Sequence, residues 1–116
     1  MDKLTWENIG GAVLFRFHGS IVSDITEDLR MHILDILRKE KAETAIFHLG
    51  DADYIDSMGI GMFVHFHVQH HDRIRFLFCE MSSGVRKAFG YVKLLSFFDI
   101  RDTLDDVLEE LNLADL

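Results

Sequence analysis

Residues 12–18 alternate strictly. Val13, Phe15 and Phe17 lie on one side, and Leu14, Arg16 and His18 on the other. That two-residue period predicts a strand. Residues 4–9 form a second extended run, and Gly10-Gly11 between the two marks a tight turn, so the chain is predicted to open on a hairpin. The period then lengthens. Ile25, Leu29, Ile33, Ile36 and Leu37 fall on one face of a helix. Asp24 is placed to cap it, with Glu27 three positions on as the reciprocal partner of a capping box. The charged stretch 38–43 ends this helix. Residues 45–49 predict a third strand, 50–55 a loop, and Ser57 to about His71 a second helix. In residues 74–79, Ile74, Phe76 and Phe78 alternate with Arg75, Leu77 and Cys79, which predicts a fourth strand. Ser82 or Ser83 can cap a short helix ending near Gly90. Residues 97–100 form a last short strand. Asp102 is the expected cap of a terminal helix with Leu104, Val107, Leu108 and Leu111 on its apolar side.

The predicted order is ββαβαβαβα: an α/β fold in a single domain over residues 1–116. Strands that alternate with helices pair in parallel, and the opening hairpin makes the sheet mixed. One face of the sheet collects Val13, Phe15, Phe17, Phe47, Leu49, Ile74, Phe76 and Phe78. The other collects Leu14, Arg16, His18, Ile46, His48, Arg75 and Leu77. A sheet covered on both faces reads as nearly continuous apolar strands. This one does not, so about four helices are expected, most of them on the first face, with the second face partly open.

Composition narrows the function. Of the 116 residues, 48% are hydrophobic, which is enough for a real core in one domain. The net charge of −8 opposes a phosphate-tracking nucleic-acid binder and an anionic membrane surface alike. The single cysteine, Cys79, lies in an apolar run and reads as a buried thiol in a reduced compartment. The first residues lack the basic end and apolar stretch of a signal peptide, and no apolar run approaches the roughly 20 residues of a membrane span. A soluble cytoplasmic protein is expected.

The informative stretch is Tyr54-Ile55-Asp56-Ser57-Met58-Gly59-Ile60-Gly61. A strand, an acidic loop and then Asp-Ser-x-Gly opening an amphipathic helix resemble the signature of STAS domains, the family of sulfate transporters and anti-sigma-factor antagonists. The resemblance covers nearly the whole chain. It includes Gly19 before the first helix, Glu27-Asp28-Leu29-Arg30 within it, and Val85-Arg86-Lys87-Ala88-Phe89 in the third. It implies a bacterial, non-enzymatic switch in transcription regulation, without a cofactor. A partner anti-sigma factor with serine-kinase activity would phosphorylate Ser57, and a serine phosphatase would reverse this. The unphosphorylated form would bind that kinase and so free a sigma factor. The oligomeric state implied is a monomer or weak homodimer. The chain departs from the family pattern at four places. Val22 stands where antagonists often carry Asp, with Ser23 and Asp24 just beyond. His71-Asp72-Arg73 replaces a glycine-containing turn. Met58 replaces a Ser or Thr, and Lys93 replaces a glycine after the third helix. Lys93 is therefore expected in a left-handed conformation.

The physics of Ser57 supports a switch independently. At a helix start, unpaired N–H groups and the positive dipole end favour negative charge. A phosphate would add about −1.5 to −2 charge beside Asp51, Asp53 and Asp56. It would alter surface potential without unfolding the domain. The plainer reading is that Ser57 is a helix N-cap worth roughly 1 kcal/mol. On the same helix Ile60, Phe63, Val64 and His67 are expected to face the core. Met58, Met62 and Phe66 then lie at i, i+4 and i+8 on a flank beside Ser57. They are predicted to form an exposed apolar strip for a partner, together with Asp56, Ser57, Gly59, Ser23 and Asp24.

Other chemistries are weakly signalled. His65, His67, His70 and His71 cluster late in the second helix. His67 and His71 have the i, i+4 spacing that can share a metal, but no cysteine completes a set, so packed or solvated side chains are expected and no metal. Neither a nucleophile-elbow Gly-x-Ser-x-Gly nor a phosphate-binding glycine loop is present, so catalysis is not expected. The alternative function is a constitutive STAS scaffold, as a transporter-associated subunit or part of a larger signalling assembly.

Overall fold

The fold comes from a computed structural model that describes residues 3–91 and 96–113. Over these residues the elements run β1 (Leu4–Ile9), β2 (Ala12–Ile21), α1 (Ser23–Lys39), β3 (Thr44–Ile55), α2 (Ser57–His70), β4 (Arg75–Cys79), α3 (Ser83–Tyr91), β5 (Asp99–Ile100) and α4 (Leu104–Glu110). The order is the predicted one. The strands lie side by side in chain order; β1 runs antiparallel to β2 and the other pairs are parallel. Lys93 lies outside the described residues.

The two faces of the sheet divide as the alternation implies. On the first, Val13, Phe15, Phe17, Phe47, Leu49, Phe76 and Phe78 are buried under α1, α2 and α3 through Leu29, Ile33, Phe63, Phe66, Val85 and Phe89. On the second, Leu14, Ile46, Leu77 and Cys79 are buried with Val107 of α4. Arg75 and Arg101 both bond Glu110, which ties α4 to this face. Beyond α4 the second face is polar. His18 bonds Thr5, and Arg16 lies 3.9 Å from Glu7. Cys79 is buried, and burial followed by the charge of Glu80 pushes its thiol up to about 12, so it is a packed apolar side chain.

Two strands are longer than predicted. The acidic stretch after Gly50 has the composition of a loop, yet β3 continues through it to Ile55. Its backbone pairs with an equally extended β2: His18 with Asp51, Gly19 with Ala52, Ser20 with Tyr54 and Ile21 with Ile55. The register shifts twice on the way, and Gly19 takes φ +76 there. Ala52 and Ile55 point inward while Asp51, Asp53 and Tyr54 face water. Main-chain bonding, to which acidic side chains are indifferent, outweighs the polar composition.

The helix caps also differ from expectation. Val22, which has no side-chain acceptor, occupies the N-cap of α1, and Glu27 bonds Arg30 instead of closing a capping box. At α3 the cap is Ser82, whose Oγ accepts from the Val85 N–H and donates to the Ala52 carbonyl. Thr103 caps α4, where Asp102 was expected. Glu80 adds a carboxylate oxygen 2.7 Å from the Leu104 N–H. A hydroxyl one residue nearer the helix satisfies the same donor, so Asp102 is left to solvent and a 4.0 Å contact with Arg86.

Phe47 is the hub of the core. Its ring centroid lies 5.1–5.8 Å from those of Phe15, Phe17, Phe63, Phe66, Phe76 and Phe78. Phe47→Ala is expected to cost about 3–5 kcal/mol of unfolding free energy, read by urea denaturation with an unchanged slope.

Candidate functional site

Asp56 organises the candidate site. It follows β3 as the N-cap of α2, and its Oδ1 accepts from the Gly59 N–H at 2.9 Å. Its other oxygen, Oδ2, accepts from the Ser23 N–H, also at 2.9 Å, at the first residue of α1. The Asp56 N–H in turn donates to the Ile21 carbonyl at 3.1 Å. One carboxylate thus serves the starts of two helices, which explains how α1 begins without a cap of its own. The anion sits where both dipoles are positive. Gly59 is needed for the approach: a Cβ there would lie 2.7 Å from the Ile21 carbonyl oxygen and 2.7 Å from Ile55 Cγ1.

Ser57 is the first residue of α2, as predicted, and is exposed. It is not the cap, because Asp56 holds that position, and its hydroxyl makes no hydrogen bond with the described residues. Around it Tyr54 and Met58 are 57% and 58% exposed. Asp51, Asp53, Ser23 and Asp24 are exposed as well.

The predicted apolar strip does not exist. Met62 is 4% exposed and Phe66 is fully buried, so only Met58 of the three faces solvent. The buried residues of α2 are Gly59, Ile60, Met62, Phe63 and Phe66, while Val64 and His67 are half-buried. The helix packs against both the sheet and α1, so its inward arc is wider and rotated from the predicted one. Phe66 and Gly59, both predicted to meet a partner, are therefore turned away from one, and Met62 shows only an edge. That edge lines a groove of about 470 Å³ between α1 and α2, together with Thr26, Glu27 and Arg30 on one side and Met58, Gly61 and His65 on the other. The hydrogen bond from Arg30 holds the Glu27 carboxyl below its usual range. Arg30 lines this groove, and Tyr54 is exposed three residues before Ser57; both stand in the stretches that carry the family resemblance, but neither is picked out there as a site residue.

At the far end of α2, His67 and His71 stack face to face, with centroids 5.0 Å apart and planes at 12°. The His67 ring also packs on Phe97 at 4.6 Å. Stacked rings do not converge on one point as metal ligands must. Among the described residues no three His, Cys, Asp or Glu side chains are grouped to hold an ion.

Known proteins share both the sequence pattern and the fold. The STAS domain family matches residues 3–107. The chain belongs to the STAS domain family. An anti-sigma factor antagonist from Mycobacterium paratuberculosis shares its fold with a TM-score of 0.83 at 16% identity, over 94% of this chain and 92% of that one. The antagonist SpoIIAA in its unphosphorylated form gives 0.76 at 19% identity, over 94% and 96%. A sulfate transporter family protein from Wolinella succinogenes gives 0.76 at 17% identity, over 91% and 88%. No curated protein matches the sequence. Among the described residues no helix of this STAS domain is long and apolar enough to cross a membrane.

The electrostatics of this region can be tested in two ways. Asp56→Ala removes acceptors from two helix starts and is expected to cost about 2–4 kcal/mol, since each lost cap is worth about 0.5–2 kcal/mol and stranded donors add to it. Asp56→Asn keeps one oxygen and should lose about half as much in the same denaturation assay. The second test concerns pH. Burial, then the nearby Arg16, holds His48 below its ordinary value, and burial, then Arg73, does the same to His70. The unfolded chain therefore binds these protons more readily, so stability should fall as pH drops from about 7 to 5. The lowered Glu27, Asp35 and Glu110 carboxyls act only below their ordinary 4.5, 3.8 and 4.5. A His48→Asn, His70→Asn double variant should show a flatter stability profile over that window.

Proposed function

We propose that the chain is a non-enzymatic protein-binding switch of the anti-sigma-factor-antagonist type, acting as a single cytoplasmic domain. Unphosphorylated, it binds an anti-sigma factor with serine-kinase activity and so releases a sigma factor. The kinase transfers a phosphoryl group to Ser57, and a serine phosphatase removes it. The observation that carries this reading is the division of labour between neighbours: Asp56 does the capping, which leaves the Ser57 hydroxyl exposed and without a bond to the described residues.

A phosphate on Ser57 would sit at a helix start, whose first amides have no intrahelical acceptor, so the fold would tolerate it. It would also stand beside Asp56 and the exposed Asp53, and add about −1.5 to −2 charge to a surface flanked by Tyr54 and Met58. Desolvating that charge against an apolar partner surface would weaken binding without a conformational change. The partner surface is the Tyr54–Met58 region with Asp56, Ser57, Ser23, Asp24 and the adjoining groove. Its centre lies upstream of the buried Met62 and Phe66. The likeness in fold to anti-sigma factor antagonists supports a binding role. The likeness in fold to a transporter-family protein supports a second reading, a constitutive scaffold indifferent to Ser57.

Ser57→Ala is expected to bind the kinase and resist phosphorylation, while Ser57→Asp binds at least tenfold more weakly with native-like circular dichroism. Met58→Glu should cost at least about 1.4 kcal/mol of affinity, a factor of ten, with little loss of stability. Equal affinity of all three variants for the partner, measured by calorimetry, would favour the constitutive scaffold.

A further inference from the structure

A groove of about 510 Å³ lies at the opposite end of α2 from Ser57, about 20 Å away along a 14-residue helix. Its floor is apolar: Leu37 and Ala42 are buried, and Leu34 and Ile74 are half-buried. Arg38, Lys41 and Arg73 rim it, all exposed, in a chain whose net charge is −8. Arg38 shares Asp35 with Lys39, whereas the Lys41 and Arg73 side chains pair with no described acidic group. His70 completes the rim. Burial and then Arg73 hold it below its ordinary value, with Asp72 acting the other way, so the positive charge not paired within the rim is that of Lys41 and Arg73.

Lys41 is the informative member. α1 ends in a Schellman motif: the Ala42 N–H donates to the Leu37 carbonyl at 3.0 Å, and Lys41 takes φ 52 at the left-handed position. Glycine is the usual residue there, and any other side chain is strained. The left-handed backbone, also found at Glu80 and Asn112, here sets an exposed lysine on the edge of an apolar groove.

We infer that this groove is a second docking surface, for an acidic amphipathic segment of a partner protein. The cations stand on three separate pieces of chain, the end of α1, the turn after it and the turn before β4. They suit carboxylates spaced along a peptide better than a single anionic headgroup. The floor accepts that peptide's leucine-type side chains, as in helix-in-groove recognition. Because the surface is remote from Ser57, its occupancy is independent of phosphorylation, and the domain joins two partners at once.

The test is a titration of isotope-labelled protein with a 12-residue amidated peptide of alternating Glu-Glu and Leu-Leu pairs, followed by NMR. Amides of residues 34–42 and 70–74 should shift with saturable binding. Lys41→Gly should weaken binding at least fivefold while leaving stability unchanged or raised, and Arg73→Gln should weaken it similarly. Ser57→Asp should leave it unchanged. The inference is overturned if the peptide does not bind, if a Lys-Leu peptide binds equally well, or if Lys41→Gly and Arg73→Gln bind as the parent does. Dodecanoate shifting these amides where the peptide does not would identify a small amphiphile instead. Self-association in sedimentation that the peptide disrupts would identify a second copy of the chain. Either result overturns the partner segment.

Discussion

The Asp56 carboxylate is the constraint on which the site depends. Two helices start next to each other at the ends of neighbouring parallel strands, and each start leaves N–H groups without partners. A single anion accepts from both, one oxygen apiece. Parallel β2 and β3 bring those starts together, and the bond from the Asp56 N–H to the Ile21 carbonyl keeps the loops in contact. Because the carboxylate is committed to structure, the adjacent serine is free of it. The geometry that stabilises the fold is therefore the geometry that presents the hydroxyl.

The core ties α2 to the strands that carry it. Phe47 is ringed by six other phenylalanines drawn from β2, β4 and α2, so the strand leading to Asp56 and the helix leaving it share one packed cluster. α4, by contrast, seals only part of the other sheet face and is held there by Glu110 and a small apolar patch. Packing is deepest around Phe47, under the middle of α2, and thins toward the second face.

Alternation and helical periodicity make the order of elements, the mixed sheet and the division of its faces legible in the amino-acid sequence. Asp-Ser-x-Gly places Ser57 in the first turn of α2. Those signals are local and repeat along the chain. What is not legible depends on contacts between distant segments. The acidic run after Gly50 looks like a loop unless its main chain is known to pair with β2. Asp24 looks like a cap unless Asp56, far along the chain, is known to reach the same helix start. Met62 and Phe66 look like an exposed flank, but the Phe66 ring packs on Phe47 of β3 and Phe76 of β4, and Met62 lies at the seam with α1.

The twin register shifts between β2 and β3 carry one more consequence. From Arg16 to Ile21 β2 advances five residues, while from His48 to Ile55 β3 advances seven, so β3 holds a surplus of two. One surplus residue inverts which way every later side chain points; a second restores it. The burial of β3 follows suit, in at Leu49, out twice, in at Ala52, out twice, in at Ile55. The presentation of Ser57 thus rests on the parity of this strand. Loss of one residue between His48 and Ile55 would turn Asp56 away from Ser23, whereas loss of a pair would shorten the strand and keep the carboxylate aimed. Length variation among chains that preserve this clamp should come in even steps.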